Sequence, residues 1–315
     1  MSSIRTLAVL LLGTAGACSW QVAHAADLIV NPGVVVQPDT ELPAVSGING
    51  KWEFDPGFLS GGGLVRGAGS ISIPLGDRFG LQADGMGTWT SNHGLVVAGA
   101  VHAFTRDPSR YLAGVTAGFV VSSEATLAVI GGEGELYLDQ FSLEGWAGLA
   151  NLNYVNPALL DKTGLFAIGD AAYYATPDLR FAVGGSYVLG DLSVHASTEY
   201  MFHGLGMPLS VTGDARLHNN GSATFTVGLK GYFGGNDDGK SLIDRHRQDD
   251  PPDRAIDLFT AAGSQLFDKP SSPPGDPEAL CFDRNTPGNP FYDPEKSWFW
   301  DSFEKECVFT PLGPL

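Results

Sequence analysis

The chain has 315 residues, 42 glycines and a formal net charge of −17. So acidic a chain, with no basic stripe, is excluded from generic nucleic-acid binding. That balance suits a bacterial surface or outer-membrane protein, and equally an exported soluble one.

Residues 1–25, MSSIRTLAVLLLGTAGACSWQVAHA, read as a cleaved export signal. Arg5 gives the positive start, residues 6–17 the apolar stretch, and Ala23-His24-Ala25 the small-x-small cleavage pattern. The apolar stretch is shorter than the about 20 residues of a spanning helix. A poor lipobox, Ala15-Gly16-Ala17-Cys18, offers lipidation of Cys18 as the alternative. Residues 26–46 are Pro-punctuated and read as an extended leader.

Residues 47–233 alternate between apolar and polar positions, with regular turn signals. Candidate strands fall at 48–57, 63–75, 78–90, 93–105, 109–121, 125–138, 140–152, 164–175, 178–188, 191–203, 206–217 and 221–233. Twelve strands of about 10 to 13 residues match the roughly 9 to 11 needed to cross a bilayer. Strands of soluble proteins average about 5 to 6. The fold predicted is all-β: an antiparallel transmembrane barrel of about 12 strands, with 8 or 10 as alternatives. PLGDR, RDPSR, DQ and TPD read as short turns at one end, DPGFLSGGG and NLNYVNPALLDKTG as longer loops at the other. LGD at 189–191 is short for a loop of the second kind, so the count carries a margin of two strands.

Aromatic residues sit beside the short turns: Phe79, Phe104, Tyr111, Tyr137, Phe141, Tyr173, Tyr174, Phe181, Tyr200 and Phe202. Rings at one height form the girdle that a barrel places at the membrane interface. In RFGLQADGMGTW, Phe79, Leu81, Ala83 and Trp89 fall on one face, with Gln82, Asp84 and Thr88 on the other. The first face is assigned to lipid and the second to the interior. The same sorting turns Val194, Tyr200, Phe225 and Leu229 out, and His195, Glu199, Arg216 and Lys230 in.

SGINGKWEF opening the region, GSISIPLGDRFGLQADG as a tight hairpin and TFTVGLKGYF closing it resemble outer-membrane β-barrels of Gram-negative bacteria. More narrowly they are similar to the small porin-like barrels of alphaproteobacteria. The resemblance implies that Phe233, with Gly228 upstream, is read by the barrel-assembly machinery. It departs from the pattern at Gly231, a position normally apolar, and in the residues that follow the last strand.

Residues 234–315 are rich in Pro and Asp and read as a mostly irregular periplasmic extension, either loosely folded and pinned by a disulfide or docking its aromatic run KSWFWDSFEKECVF, 296–309, on a periplasmic partner or on the barrel mouth. SLIDRHRQDD reads as a short helix started by Ser241 and stopped by Pro251-Pro252. Cys281 and Cys307 form an even pair in an oxidising compartment, which suggests a disulfide. It would stabilise the tail by about 3 to 4 kcal/mol in the chain-entropy model.

The candidate lumen-lining set is Gln82, Asp84, Thr88, Glu133, Glu135, Glu144, Asp170, His195, Glu199, Asp214, Arg216 and Lys230. As a passive porin, this lumen favours cations through its excess of acids. As a closed structural barrel, the same charges pair, Glu199 with Arg216 or Lys230 for instance. A third reading is a membrane-embedded hydrolase using Ser193, His195, Ser197 and Glu199. Same-face neighbours on one strand stand about 6.6 to 7 Å apart, so His195 would need a partner from an adjacent strand. No metal-ligand spacing and no cofactor motif is present in the sequence. Membrane lipid is the partner implied for the apolar face.

Overall fold

The computed structural model describes residues 42–156, 159–204, 207–235, 239–267, 296–301 and 306–311. The export signal, Cys18, most of the leader and Cys281 lie outside the described residues. Twelve strands run in chain order: β1 (Asn49–Leu59), β2 (Gly62–Leu75), β3 (Phe79–Thr90), β4 (Gly94–Asp107), β5 (Tyr111–Val121) and β6 (Ala125–Leu138). Next come β7 (Phe141–Tyr154), β8 (Lys162–Thr176), β9 (Leu179–Val188), β10 (Asp191–Phe202), β11 (Leu209–His218) and β12 (Ala223–Gly234). Each pairs antiparallel with its neighbour, and β1 pairs with β12, so the sheet closes into a barrel. Closure removes both sheet edges, and the ladder is continuous apart from Asp55-Pro56 in β1 against β12 and a shift at Tyr174–Thr176 in β8.

Asn49 pairs with Gly234, so both ends of the barrel sequence meet at one rim, here the terminal rim. The opposite, distal rim carries the connections at 60–61, 91–93, 122–124, 155–161, 189–190 and 219–222. These are nearly as short as the turns of the terminal rim, so the expected contrast between turns and loops is absent among the described residues. DPGFLSGGG is not a loop. Asp55, Pro56 and Gly57 continue β1, and the chain reverses at Ser60-Gly61, both at positive φ. The same two-residue reversal at Leu189-Gly190 makes the short LGD connection a hairpin turn and holds the strand count at twelve.

Alternation sorts the side chains as the sequence implies. Phe79, Trp89, Val194, Tyr200, Phe225 and Leu229 are exposed outward, while Gln82, Thr88, Glu199 and Arg216 are buried inside. Phe79, Tyr111, Phe141, Phe181, Phe202 and Phe233 ring the terminal rim. Phe58, Trp89, Phe119, Tyr187 and Phe225 ring the distal rim. From Phe79 to Trp89 the strand runs about 33 Å, or roughly 23 to 27 Å of depth at a tilt of about 35–45°. That matches the apolar band of a membrane barrel. Phe104, Tyr137 and Tyr174 depart from the predicted girdle: they are buried inside. Their parity decides this, since Phe104 shares its face with inward His102 and Arg106. No helix among the described residues is long and apolar enough to cross a membrane.

Two helices follow β12. The first, α1 (Leu242–Gln248), is capped by Ser241, whose hydroxyl accepts from the Asp244 amide, as the sequence suggests. The second, α2 (Arg254–Phe267), begins after Pro251-Pro252, and the Asp253 carboxylate accepts from the Ile256 amide. Both helices pack against the barrel, α2 against β3–β6, β9 and β10. Within residues 242–267, then, the chain is helical and docked on the barrel. β13 (Lys296–Asp301) and β14 (Glu306–Pro311) form a two-stranded hairpin in which Cys307 stands opposite Trp300.

Candidate functional site

The barrel interior divides into an apolar half and a charged half. Towards the distal rim, Leu64, Met86, Val96, Val120, Leu127, Leu152 and Val188 point inward and are buried. They enclose Leu258, Phe259, Ala261, Ala262 and Leu266 of α2 in one continuous cluster. Trp146 and Phe166 close it edge to face at 4.9 Å. Each large apolar side chain so buried contributes about 1.5–3 kcal/mol gross. At the rim itself, the Gln265 amide donates to the Val188 carbonyl, and Lys162 Nζ lies 3.4 Å from Gln265 Oε1.

Mid-barrel, the start of α2 meets a buried charge cluster. Asp84 Oδ2 accepts from the Arg254 amide at 2.9 Å, and Arg254 Nε donates to Glu133 Oε2 at 3.0 Å. His102 sits between these carboxylates, Nε2 2.6 Å from Asp84 and Nδ1 3.1 Å from Glu133. Gln82 donates to the Pro251 and Pro252 carbonyls, and Lys51 donates to the former. The prolines lack N–H groups, but their carbonyls remain strong acceptors.

The terminal rim is covered by α1 and by residues 42–47. Arg106 donates from Nε to the Ala44 carbonyl at 2.6 Å and from Nη1 to the His246 carbonyl at 3.2 Å. Val45 packs with Leu112 and with Phe104 and Tyr137, two of the rings that turned inward. Tyr174 and Tyr232 both hydrogen-bond His246, at 2.8 and 3.2 Å, and pack with Leu242. Arg247 of α1 reaches the Phe141 carbonyl at 2.9 Å, and the Leu242 amide donates to Asp178 at 3.1 Å.

Between the helices and the remaining wall lies a cavity of about 160 Å³. Glu53, Arg66, Glu135, Glu144, Asp170, Arg180, His195, Asp214 and Lys230 line it from the strands, and Asp250, Asp253 and Asp257 from the tail. Most of its charges are paired. Lys230 bridges Glu199 at 3.0 Å and Glu53 at 3.2 Å, Arg180 binds Glu144 at 3.0 Å, and Arg66 binds Asp55 at 3.0 Å. Among the described residues no cluster of His, Cys, Asp and Glu suits a metal ion.

The described strands thus form a closed, twelve-stranded barrel with an apolar belt between two aromatic rings. That is the build of a membrane-spanning β-barrel. A scan against protein-family models and a search of curated protein sequences return no match. Among solved structures, the KdgM porin is 15% identical with a TM-score of 0.43, covering 58% of this chain and 99% of its own. The NanC porin is 11% identical with a TM-score of 0.42, covering 56% of this chain and 98% of its own. Omp33 of Acinetobacter baumannii is 10% identical, TM-score 0.37, covering 59% and 98%. The barrel type rests on closure, strand length and the apolar belt rather than on these scores.

Each sequence-predicted lumen residue lies on the inner wall of this barrel, but in different settings. Gln82, Asp84 and Glu133 are covered by the tail, and Thr88 is buried with no partner for its hydroxyl among the described residues. Glu135 accepts from the Tyr137 hydroxyl at 3.0 Å. Glu144, Asp170, His195, Glu199, Asp214, Arg216 and Lys230 face the cavity. Glu199 takes Lys230, not Arg216, which instead donates to Ser193 and Ser186 at 2.8 and 3.2 Å. His195 holds Asp170 at 2.6 Å, so Ser193 and His195 are committed to different partners. Phe233 faces outward at the end of β12, and Gly228 lies against the Asp55 carboxylate, where a side chain would collide. Gly231 is covered by the Trp52 indole, which supplies the missing apolar surface.

The residues missed in the sequence are Lys51, Glu53, Asp55, Arg66, His102, Arg106, Arg180 and Arg254. The strand members were available from parity alone, as His102 and Arg106 alternate with outward Val101, Ala103 and Thr105. The tail helix had a signal too. RAIDLFTAAGSQLF places apolar residues at helical spacing, and inward positions such as Leu64, Met86 and Val96 are apolar where an aqueous lumen would be polar.

Proposed function

We propose that the protein is a porin-like outer-membrane barrel held closed by its own C-terminal helices, a structural or surface barrel in this state. One observation carries the reading: the apolar face of α2 is sealed into the distal half of the lumen. A helix buried there excludes water across the section that ions would have to cross. The second reading is passive passage of small solutes with a lean towards cations, supported by the acids that line the cavity. Against that lean, Arg66, Arg180, Arg216 and Lys230 share the same wall. Against Ser193 as the nucleophile of a hydrolase, its hydroxyl is engaged by Arg216 and Ser186. Outer-membrane lipid is the partner for the apolar belt, and Phe233 is the residue offered to the assembly machinery.

Single-channel recording in planar bilayers tests this. The whole chain is expected to insert without steady conductance. Leu258→Asp, which puts a charge into the apolar seal, is expected to give discrete current steps. Steady, cation-leaning conductance from the unaltered chain would overturn the closed reading in favour of the second.

A further inference from the structure

The direction of α2 has a topological outcome. The chain leaves β12 at the terminal rim, and α1 lies across that rim, braced on the turns at 139–140 and 177–178. Pro251 and Pro252 then turn it into the lumen. Arg254 stands at the level of Asp84 and Glu133, near mid-strand, while Gln265 reaches Val188 and Lys162, the last and first residues of β9 and β8 at the distal rim. A helix of 14 residues is about 21 Å long, enough for that climb. The polypeptide therefore enters the barrel from one face and ends its second helix at the other.

From this geometry we infer that the chain after α2 is displayed outside the cell at the distal rim, not in the periplasm. The inference rests on the closed-barrel reading. The way back is shut by α2 itself, since the remaining cavity of about 160 Å³ suits something the size of benzene, not a second stretch of chain. Orientation follows from delivery. An exported chain meets the outer membrane from the periplasm, and an even number of strands returns both strand termini to that face. The distal rim then faces the exterior. The barrel is an anchor and conduit, and its cargo is the tail, with the hairpin β13–β14 and the pair Cys281 and Cys307 in an oxidising medium.

The test uses the full chain in a Gram-negative host. One epitope is inserted between Gly288 and Asn289, a second at Ser109 on the terminal rim, and a third at Asn220 on the distal rim. Antibody is added to intact cells and again after the outer membrane is permeabilised. The tail and Asn220 epitopes are expected to bind antibody on intact cells, and the Ser109 epitope only after permeabilisation. A tail epitope hidden together with Ser109, or hidden together with Asn220, overturns the inference. Should an insertion spoil folding, a membrane-impermeant maleimide added to intact cells after mild reduction reads the same placement on Cys281 and Cys307. Labelling supports the exit, and its absence until permeabilisation overturns it. Conductance is scored separately. A conducting barrel with a displayed tail sinks only the closed reading, and a silent barrel with a hidden tail sinks only the exit.

Discussion

Arg254 is the side chain on which the tail's position turns. It is buried, pairs with Glu133 and Asp257, and lies over the Trp146 ring at 5.8 Å. Buried pairs add little net stability over apolar packing, but losing one partner strands the other. Arg254→Met is expected to weaken docking of α2 by about 3–5 kcal/mol. A fall in the urea midpoint for protease protection of residues 242–267 reads this, and adding Glu133→Gln should recover part of the loss. Asp250 is one of two tail carboxyls that shape the pH response, Asp253 being the other. Burial pushes the Asp250 carboxyl up to about 7 from 3.8, against the pull of Lys51, with Asp249 adding to the rise. The docked tail thus holds a proton that the released tail gives up. This contribution is complete below about 4 and is lost as pH rises through about 7. Buried His246 acts in the opposite sense, since burial holds it well below the histidine range and its contribution fades as pH falls. The comparison that isolates Asp250 is Asp250→Asn against the unaltered chain, both carrying His246. Between pH 5 and 8 protease protection should decline relatively more in the unaltered chain. Equal slopes would exclude Asp250 as a contributing group.

At the scale of elements, β6 and β7 show how closely these strands approach. Gly131 faces Gly148 across the pair, and a methyl group on either would strike the backbone of the other strand, at the Ala147 or the Ile130 carbonyl. Gly145, on the same strand, has its nearest such atom 3.8 Å away. Gly148→Ala is expected to cost about 1–3 kcal/mol, as overpacking does, and Gly145→Ala less than about 0.5 kcal/mol. Urea unfolding of the barrel in lipid vesicles separates the two. Gly145→Ala matching Gly148→Ala would remove the close approach as the cause.

For the whole molecule, the proposed solvent of the outer wall is lipid. Leu149 is 57% exposed near mid-depth, and Leu217 is 59% exposed at the distal rim. Equal exposure with unequal depth gives unequal cost. Leu149→Arg should lose about 2–4 kcal/mol and Leu217→Arg about 0–1 kcal/mol, read as folding free energies into vesicles. The same wall explains what was legible in the sequence. Residues such as Phe79 and Trp89 against Gln82 and Asp84 differ so sharply in polarity that strand, face and span could all be read from one alternation. Phe104, Tyr137 and Tyr174 were misread because proximity to a turn sets a ring's height and not its face. The apolar lining at Met86 and Val96 was visible by parity, but what it packs against was obscure for a deeper reason. Its partner, α2, lies more than a hundred residues away, and only tertiary packing brings the two together.

The pair Pro251-Pro252 has a mechanical meaning. Helical hydrogen bonding cannot pass through it, so α1 and α2 are separate struts joined at a stiff corner, pinned by Lys51 and Gln82. Tension applied to the far end of the chain would load the oily upper strut first, while the lower one stays bolted across its rim. The stopper is expected to yield in two stages under load, the upper strut before the lower.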